Sequence, residues 1–274
     1  PEYDEEDNAS FVLDSWYKKS LWLYLLIPFS FLFKYLTKRR RRKYIQGKSK
    51  SYKSDIPIII VGNLTIGGTG KTPLVAYIAQ ELIKLGYKPG LVSRGYGGKF
   101  RETLEVTNQT SVKQTGDEAQ ILAKLNLPFY IDKNRVRAVK TLVNNHTCDV
   151  IISDDGLQHY NMNRDIEIVV IDGKRRFGNN LSFPAGPLRE SKSRLKSVDF
   201  VVNNSGPTKD NEYLMNISPS KFIHLKTGKS YLIKDWPMHK QVHAVAGLGN
   251  PGRFFDLLAR LGFDITRNSF PDHH

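Results

Sequence analysis

Between an apolar run at 58–61 and a helical repeat of apolar residues, the chain reads Thr65-Ile66-Gly67-Gly68-Thr69-Gly70-Lys71-Thr72. A strand, a glycine-rich turn and a helix in this order are typical of a phosphate-binding loop. Glycines let backbone N–H groups surround a polyphosphate, Lys71 can reach the β and γ phosphates, and the Thr72 hydroxyl can ligate Mg²⁺. Thr65 stands where the motif G-x-x-x-x-G-K-[ST] has its first glycine, so we expect Gly67 and Gly68 to supply the turn. The stretch predicts a nucleotide-binding α/β domain.

Strand and helix patterns alternate downstream of this loop. Apolar residues repeat at helical spacing from Leu74 to Ile83, and a short strand follows at 90–92. The same reasoning predicts helices around 117–125 and 135–143 and strands at 129–131, 149–153 and 166–171. This alternation indicates a mostly parallel sheet with helices on both faces, in which ligands bind at the carboxyl ends of the strands.

Two polar clusters follow predicted strands. The first, Ser93-Arg94-Gly95-Tyr96-Gly97-Gly98, combines flexible glycines with an arginine that could face phosphate; the alternative is a plain turn with a surface arginine. The second, Asp154-Asp155-Gly156-Leu157-Gln158-His159, places carboxylates where they could hold Mg²⁺ opposite Thr72, and the alternative is an Asp-Gly turn. Adjacent residues of a strand point to opposite faces, so we expect one of Asp154 and Asp155 to be the direct ligand.

A third cluster, Gly116-Asp117-Glu118, lies where a helix is predicted to begin. Carboxylates in a first helical turn are commonly caps, and the position alone does not distinguish a cap from a catalytic group. Further along, the irregular stretch at 177–190 is too long for a simple connector and is interpreted as a functional loop.

The net charge of +14 is concentrated near the amino terminus, where ten Lys and Arg residues lie between 34 and 53. An uncharged run at 21–33 precedes them, shorter than the roughly 20 residues of a membrane-spanning helix, and Pro28 is expected to kink it. We predict an amphipathic helix at an anionic membrane surface; the alternatives are a buried helix with a solvated linker, or a signal peptide. The arginine run lacks interleaved aromatics, so no nucleic-acid partner is expected, and no obligate protein partner is evident.

The composition is that of an ordered globular protein with 40% hydrophobic and 25% charged residues among 274. Cys148 is the single cysteine, which excludes an intramolecular disulfide and fits a reducing, cytosol-facing location. We divide the chain into a membrane-associated segment at 1–43, a P-loop domain at 44–206, a linker region at 207–240, and the start of a second, incomplete α/β domain at 241–274.

In the second domain, Gly247-Leu248-Gly249-Asn250-Pro251-Gly252 matches the dinucleotide motif G-x-G-x-x-G. We favour a tight turn into a helix, because no complete second mononucleotide unit follows. His273 and His274 end the chain, and by composition alone they could be a metal site or a tag remnant.

Seven ordered motifs together resemble the tetraacyldisaccharide 4′-kinase family, the lipid A 4′-kinases of Gram-negative bacteria. They are Val61-Gly62-Asn63-Leu64-Thr65 running into Gly67–Pro73, Ser93–Gly98, Gly116-Asp117-Glu118, Asp154–His159, Pro184-Ala185-Gly186-Pro187-Leu188-Arg189-Glu190, Ala246–Pro251 and Phe270-Pro271-Asp272-His273-His274. The threonine in place of the first glycine belongs to that family's own pattern.

The resemblance implies an enzyme at the cytoplasmic face of the bacterial inner membrane. It would transfer the γ-phosphoryl group of ATP to the 4′-hydroxyl of tetraacyldisaccharide 1-phosphate, with Mg²⁺ as cofactor. Asp117 would be the general base, paired with His273. The resemblance also implies further site residues, which are Thr65, Gly67, Gly68, Thr69, Gly70, Lys71, Thr72, Glu118, Arg189 and Glu190 for ATP, Thr72, Asp154 and Asp155 for the metal, and Asn63, Arg94, Gln158 and His159 for the substrate.

Two departures from the family pattern accompany this resemblance. Ala119 stands where family members usually have proline, and family members continue some tens of residues past His274, so a truncated chain is expected. The alternative from another class is a membrane-bound P-loop switch or partitioning ATPase, which would not need the Asp117 and His273 pair. A GTPase is disfavoured because the chain lacks an [NT]-K-x-D motif, and a soluble small-molecule kinase would leave residues 21–43 without a purpose.

Overall fold

The computed structural model describes residues 12–18, 20–248 and 250–270. The chain forms two compact units, a larger one at Leu13–Met215 and a smaller one that contains Asn216–His274. The larger unit therefore extends past residue 206, where the sequence analysis ended the P-loop domain, and it takes in most of the amino-terminal segment.

The larger unit is built on an eight-stranded sheet with the strand order β3-β4-β2-β5-β1-β6-β7-β8. Every neighbouring pair is parallel except β3 and β4. The strands are β1 Ile58–Gly62, β2 Pro89–Ser93, β3 Leu104–Glu105, β4 Phe129–Ile131, β5 Val150–Asp154, β6 Ile166–Asp172, β7 Phe200–Asn204 and β8 Glu212–Met215. The predicted, mostly parallel α/β fold is confirmed.

Helices cover both faces of this sheet. The helices of the unit are α1 Ile27–Ile45, α2 Lys71–Lys84, α3 Val112–Thr115, α4 Asp117–Ala123 and α5 Arg135–Asn145. Side chains of β1 alternate between two cores: Ile59 and Val61 pack with α2 and α4, while Ile58 and Ile60 pack with α5. All of β1 is buried, as expected for a central parallel strand, and its carboxyl end leads into the glycine-rich loop.

In the amino-terminal segment, helical residues at 12–17 precede a 3₁₀ turn at Leu21–Leu26, which is followed directly by α1. Pro28 lies in the first turn of α1, so the expected kink was wrong. Backbone N–H groups in a first turn have no helical partner, so the N–H that proline lacks is not needed there. Apolar residues occupy the first half of α1 and basic residues the second, so the two kinds separate along the helix. Among the residues that the model describes, no helix combines the length and hydropathy needed to cross a membrane.

The smaller unit contains an antiparallel hairpin and a β-α-β element. The hairpin pairs β9 Lys221–Ile223 with β10 Ser230–Leu232, within the stretch interpreted as a linker. A parallel pair follows, β11 Gln241–Ala246 with β12 Asp264–Ser269, connected through α6 Pro251–Arg260. Phe255, Leu258 and Phe263 form its small core with Ala244 and Ala246.

Candidate active site

The glycine-rich loop joins β1 to α2 at the carboxyl edge of the sheet. Gly67 and Gly70 have φ angles of 105° and 92°, in the left-handed region that favours glycine, and Gly70 immediately precedes α2. The backbone N–H groups at the start of α2 have no helical partners, and they attract anions. Of the two glycines expected to supply the turn, Gly67 has a left-handed backbone and Gly68 does not.

Two asparagines hold the shape of this loop. Asn63 Nδ2 donates to the Gly67 carbonyl and to Thr69 Oγ1, both at 3.3 Å. Asn204, buried at the end of β7, donates from Nδ2 to the Thr69 carbonyl at 2.9 Å. Asn204 was not among the predicted site residues, although the amide pair Asn203-Asn204 directly after the apolar run Val201-Val202 marks another strand end at the same edge.

Gly70→Ala is expected to weaken ATP binding by more than about tenfold, because a Cβ at Gly70 would lie 2.1 Å from Asn204 Nδ2 at a backbone angle that alanine avoids. Titration calorimetry with ATP and Mg²⁺ measures the effect. Gly86→Ala is the matched control, since Gly86 has a φ of 88° and open space around its Cβ position. Equal ATP affinity of the two variants would contradict this account of the loop.

The irregular stretch at 177–190 includes a segment that lies directly against the loop, residues 181–190, which we term the brace segment. Thr65 forms an antiparallel bridge with Leu188. On either side of it, Ile66 N–H donates to the Pro187 carbonyl at 2.8 Å and Arg189 N–H donates to the Leu64 carbonyl at 2.7 Å. Thr65, which stands at the position of the first motif glycine, thus lies in a short extended pairing. A β-branched threonine suits an extended backbone better than glycine does.

Asp155 lies between two cations. Lys71 Nζ is 3.6 Å from its Oδ1, and Arg189 Nη1 is 3.0 Å from its Oδ2. Burial alone would raise the pKa of Asp155, but Lys71 and Arg189 outweigh it and hold that pKa well below its usual range. The carboxylate is therefore ionised at neutral pH and orients both cations beside the loop.

Asp154 ends β5 next to β1, where it is paired in register with Val61. Burial raises the pKa of Asp154 to about 7, Lys71 opposes the shift, and the charges of Asp155 and Glu118 add to it. Its buried Oδ1 has no hydrogen-bond partner. A buried carboxylate oxygen of this kind carries a cost that a bound cation would remove.

Within the described ranges, no group of three or more His, Cys, Asp or Glu side chains is arranged to hold a metal by itself. Mg²⁺ in nucleotide sites is usually bound through one or two protein oxygens, with phosphate oxygens and water completing the shell. The orphaned oxygen of Asp154 beside the phosphate-binding loop fits that pattern.

Arg135 binds the backbone of the two aspartates, and it was not among the predicted site residues. The side chain is buried at the first position of α5, donating from Nη1 to the Asp132 carbonyl at 2.9 Å and from Nη2 to the Asp154 and Asp155 carbonyls at 3.4 Å. Burial lowers the pKa of Arg135 to about 10, while the two carboxylates act to raise it. The guanidinium remains charged at neutral pH and fixes the backbone of the aspartate pair.

Gln158 and His159 turn back toward the same loop and helix. Gln158 Nε2 donates to the Asn63 carbonyl at 3.1 Å, and His159 Nε2 accepts the Arg135 backbone N–H at 3.3 Å. Burial lowers the pKa of His159 to about 4, and Arg135, Arg40, Arg164 and Arg94 lower it further. The imidazole is therefore neutral at pH 7.

His159 should make the stability of the larger unit depend on pH. Above its ordinary pKa of 6.5 both the folded and unfolded states are neutral; between pH 6.5 and about 4 only the unfolded state binds a proton, so the free energy of unfolding falls as the pH falls. Urea unfolding at several pH values measures this slope, which His159→Gln should make shallower. His224→Gln, at an exposed histidine of the smaller unit, is the control. An unchanged slope for His159→Gln would contradict the assignment.

The glycine cluster after β2 holds the backbone that leads into α4. A Cβ at Gly116 would lie 2.0 Å from the Tyr96 carbonyl oxygen, and one at Gly98 would lie 2.4 Å from that of Gln114. These glycines thus allow close approach of backbone to backbone. Arg94, in the same cluster, is exposed.

Asp117 opens α4 as an exposed residue, and its Oδ1 accepts the Glu118 N–H at 2.9 Å. Glu118 is close enough to Asp154 to raise its pKa. Ala119, where the family pattern has proline, is buried in the core. His273, the predicted partner of Asp117, lies outside the described residues.

Glu190 belongs to a buried ionic network next to the site. Tyr160 donates to Glu190 Oε2 at 2.5 Å, and Arg194 Nε lies 3.7 Å from the same oxygen. Arg194 also binds Glu167, which Arg164 contacts at 3.0 Å. Arg164 donates to the Leu157 and His159 carbonyls at 2.9 and 2.6 Å, so the network fixes the loop that follows Asp155.

Comparison with known proteins shows the family to which this chain belongs. Residues 22–274 match the model of the LpxK family, tetraacyldisaccharide-1-P 4′-kinase. The chain belongs to this family. A tetraacyldisaccharide 4′-kinase of Methylobacillus flagellatus is 46% identical over 261 residues, covering 94% of this chain and 78% of the relative. One of Haemophilus influenzae is 45% identical with the same coverage of both chains.

Among solved structures, LpxK from Aquifex aeolicus in complex with ATP superposes with a TM-score of 0.78 and 29% identity, covering 93% of this kinase and 83% of that chain. The similarity confirms the α/β fold. Family membership confirms the predicted activity, that of an ATP-dependent tetraacyldisaccharide 4′-kinase in lipid A biosynthesis. It does not favour the alternative prediction of a membrane-bound P-loop switch.

Proposed function

We propose that this kinase binds ATP at the glycine-rich loop and transfers its γ-phosphoryl group to the 4′-hydroxyl of tetraacyldisaccharide 1-phosphate. The observation that carries the proposal is the convergence of Lys71, Asp155 and Arg189 at one strand edge, beside the amino terminus of α2. Phosphoryl transfer requires mainly positioning and neutralisation of charge, which two cations and a row of backbone N–H groups supply.

In this proposal the nucleotide phosphates lie in the cradle formed by the loop backbone. Thr65 and Gly67 through Gly70 provide the backbone, and Lys71 reaches the β and γ phosphates. Arg189 faces the same space from the brace segment, while Glu190 acts indirectly through its contacts with Tyr160 and Arg194. Asp155 orients Lys71 and Arg189 through its two ion pairs until ATP binds.

We assign the Mg²⁺ site to the Thr72 hydroxyl and the aspartate pair, with Asp154 as the residue whose buried oxygen needs a cation. When bound, Mg²⁺ neutralises charge on the β- and γ-phosphate oxygens. Glu118 stands on the nucleotide side, where its charge favours a cation near Asp154. Arg135 holds the carbonyls of both aspartates, so the pair keeps its orientation without ligand.

Asp117 is proposed as the general base that accepts the proton of the 4′-hydroxyl as the new P–O bond forms, with His273 as its partner. Its exposure suits a group that must meet a substrate from outside the fold. Arg94, Gln158 and His159 are proposed on the substrate side: Arg94 for anionic or hydroxyl groups, and neutral His159 as a polar contact. Asn63 acts by holding the loop.

The direct test is the product. With Mg²⁺ and ATP, the kinase should convert tetraacyldisaccharide 1-phosphate in detergent into a lipid heavier by one phosphoryl group, and ³¹P NMR should place the new phosphomonoester at the 4′ position. A product phosphorylated elsewhere, or hydrolysis of ATP without a lipid product, would refute the proposal.

We further propose that α1 docks on the cytoplasmic face of the bacterial inner membrane. The first half of the segment exposes large apolar side chains, which are Leu21, Tyr24, Leu25, Phe29, Phe31, Leu32, Tyr35 and Leu36. The basic residues of the second half would then meet anionic headgroups.

Replacing Lys38, Arg39, Arg42 and Lys43 with glutamine should release the kinase from vesicles that contain anionic lipid, since each charge near such a surface contributes about 1 kcal/mol. Sedimentation with anionic and zwitterionic vesicles measures binding. A matched variant with Lys84, Lys88, Lys99 and Lys124 changed to glutamine removes the same charge elsewhere and should still bind. Equal binding of both variants to anionic vesicles would contradict the assignment.

A further inference from the structure

One polar residue of α1 is buried where its apolar neighbours are exposed. Ser30 is 5% exposed, whereas Phe29 and Phe31 are 61% and 66% exposed. Burial of a hydroxyl is unfavourable unless it is hydrogen-bonded. Ser30 Oγ donates to the Leu26 carbonyl at 3.3 Å and accepts the buried Ala185 N–H at 2.9 Å. Ser30 therefore connects α1 to the brace segment.

Aromatic residues secure the same point of the brace segment. Trp16 Nε1 donates to the Pro184 carbonyl at 3.0 Å. The Phe183 ring packs edge-on against Trp16 and Phe33, with centroid distances of 6.3 and 5.5 Å. Residues 183–185 are thus held by hydrogen bonds and ring contacts to the amino-terminal segment.

The brace segment is stiff between this point and the active site. Phe183 N–H donates to the Leu188 carbonyl at 3.0 Å, and Leu188 N–H donates to the Leu181 carbonyl at 3.2 Å. From outside the segment, Asn179 Nδ2 donates to the Ala185 carbonyl at 2.7 Å. Because these hydrogen bonds join the two ends of the brace segment, residues 181–189 move together as a unit.

The other end of the brace segment is the strand partner of the phosphate-binding loop. Pro187, Leu188 and Arg189 pair with the backbone of Leu64–Ile66, and the Arg189 side chain reaches Asp155 beside Lys71. A displacement of residues 183–185 is therefore passed to the loop entry and to the Arg189 guanidinium.

We propose that Ser30 is a positioning residue for ATP: through its hydrogen bond to Ala185, the membrane-facing helix α1 sets the brace segment, and with it the loop and Arg189, in the geometry that binds the phosphates. The inference rests on the proposed function, because it takes residues 65–72 as the ATP site. It adds that the part of the chain that meets the lipid also tunes nucleotide affinity.

Titration of ATP and Mg²⁺ into the kinase in detergent micelles, without lipid substrate, tests the proposal. Ser30→Ala leaves the Ala185 N–H buried without its acceptor and should raise the Kd for ATP by roughly five- to tenfold. In separate initial-rate assays with varied lipid, the KM for the lipid should change less than about twofold, because the exposed apolar residues of α1 are intact. Trp16→Phe keeps an aromatic ring but loses the hydrogen bond to the Pro184 carbonyl, so it should shift the Kd for ATP in the same direction.

The matched control is Thr37→Val, because the Thr37 hydroxyl donates to the Lys34 carbonyl within its own helix. It should bind ATP like the wild type. Unchanged ATP affinity in both Ser30→Ala and Trp16→Phe would overturn the inference while leaving the proposed function standing, as would an equal loss in Thr37→Val. Failure of the wild type to bind ATP would overturn both.

Discussion

Lys71→Ala is expected to lower kcat/KM for phosphorylation of the lipid by about a thousandfold, the upper range for loss of one charged group that stabilises a transferring phosphoryl. Lys71 is the first residue of α2, and its loss leaves Asp155 paired with Arg189. The loss of the Lys71 charge and the less fully neutralised Asp155 both destabilise the negative charge that develops on the phosphate oxygens. Initial rates with varied ATP and varied lipid separate the loss in kcat from the loss in affinity.

Lys84→Ala is the matched control for this change, because Lys84 lies at the exposed end of the same helix and pairs with Glu81. Its kinetic constants should equal those of the wild type. If Lys71→Ala kept more than a tenth of the wild-type rate, the assignment of residues 65–72 as the catalytic phosphate site would be wrong.

Asp117→Asn is expected to lower kcat by about a hundred- to ten-thousandfold, the range that general-base catalysis supplies. The amide keeps the shape of the side chain and can still accept the Glu118 N–H, so α4 should begin as it does in the wild type. ATP affinity should be unchanged, since the proposed nucleotide contacts are intact. The distinguishing result is a large loss of kcat with an unaltered Kd for ATP.

Asp210→Asn, at an exposed aspartate of the larger unit, controls for the loss of a surface carboxylate. Wild-type kcat in Asp117→Asn would assign Asp117 to capping of α4, as its position in the first helical turn also allows. A parallel loss of kcat and of ATP affinity would instead place Asp117 on the nucleotide side.

The parts of this site that the sequence predicted are those encoded locally. A left-handed turn favours glycine, so Gly67 and Gly70 mark the loop without knowledge of the fold. Asp154 and Asp155 follow an apolar strand, which places them at the sheet edge once the strands are known to be parallel.

The residues that the sequence did not reveal act across long separations. Asn204 reaches the Thr69 carbonyl from 135 positions away, and Ser30 meets Ala185 across 155. Arg135 looked like an ordinary first residue of a helix, and only the packing of α5 against the sheet gives it buried carbonyls to bind. Such roles depend on strand order and loop path, which periodicity does not specify.

The wrongly expected kink at Pro28 shows the same limit of prediction from sequence. The effect of a proline on a helix depends on where that helix begins. A periodic pattern of apolar residues shows that a helix is present but does not fix its first residue. The 3₁₀ turn before Ile27 puts the proline in the first turn of α1, where it is compatible with a straight helix.

The most direct test of the central claim is transfer of radiolabelled γ-phosphate from ATP to tetraacyldisaccharide 1-phosphate, measured together with total ATP hydrolysis for the wild type, Lys71→Ala and Asp117→Asn. We expect labelled lipid from the wild type and almost none from either variant, with ATP consumption matching lipid phosphorylation. Hydrolysis of ATP without labelled lipid, at a rate that Asp117→Asn leaves unchanged, would contradict the kinase mechanism and point to a membrane-bound nucleotide switch.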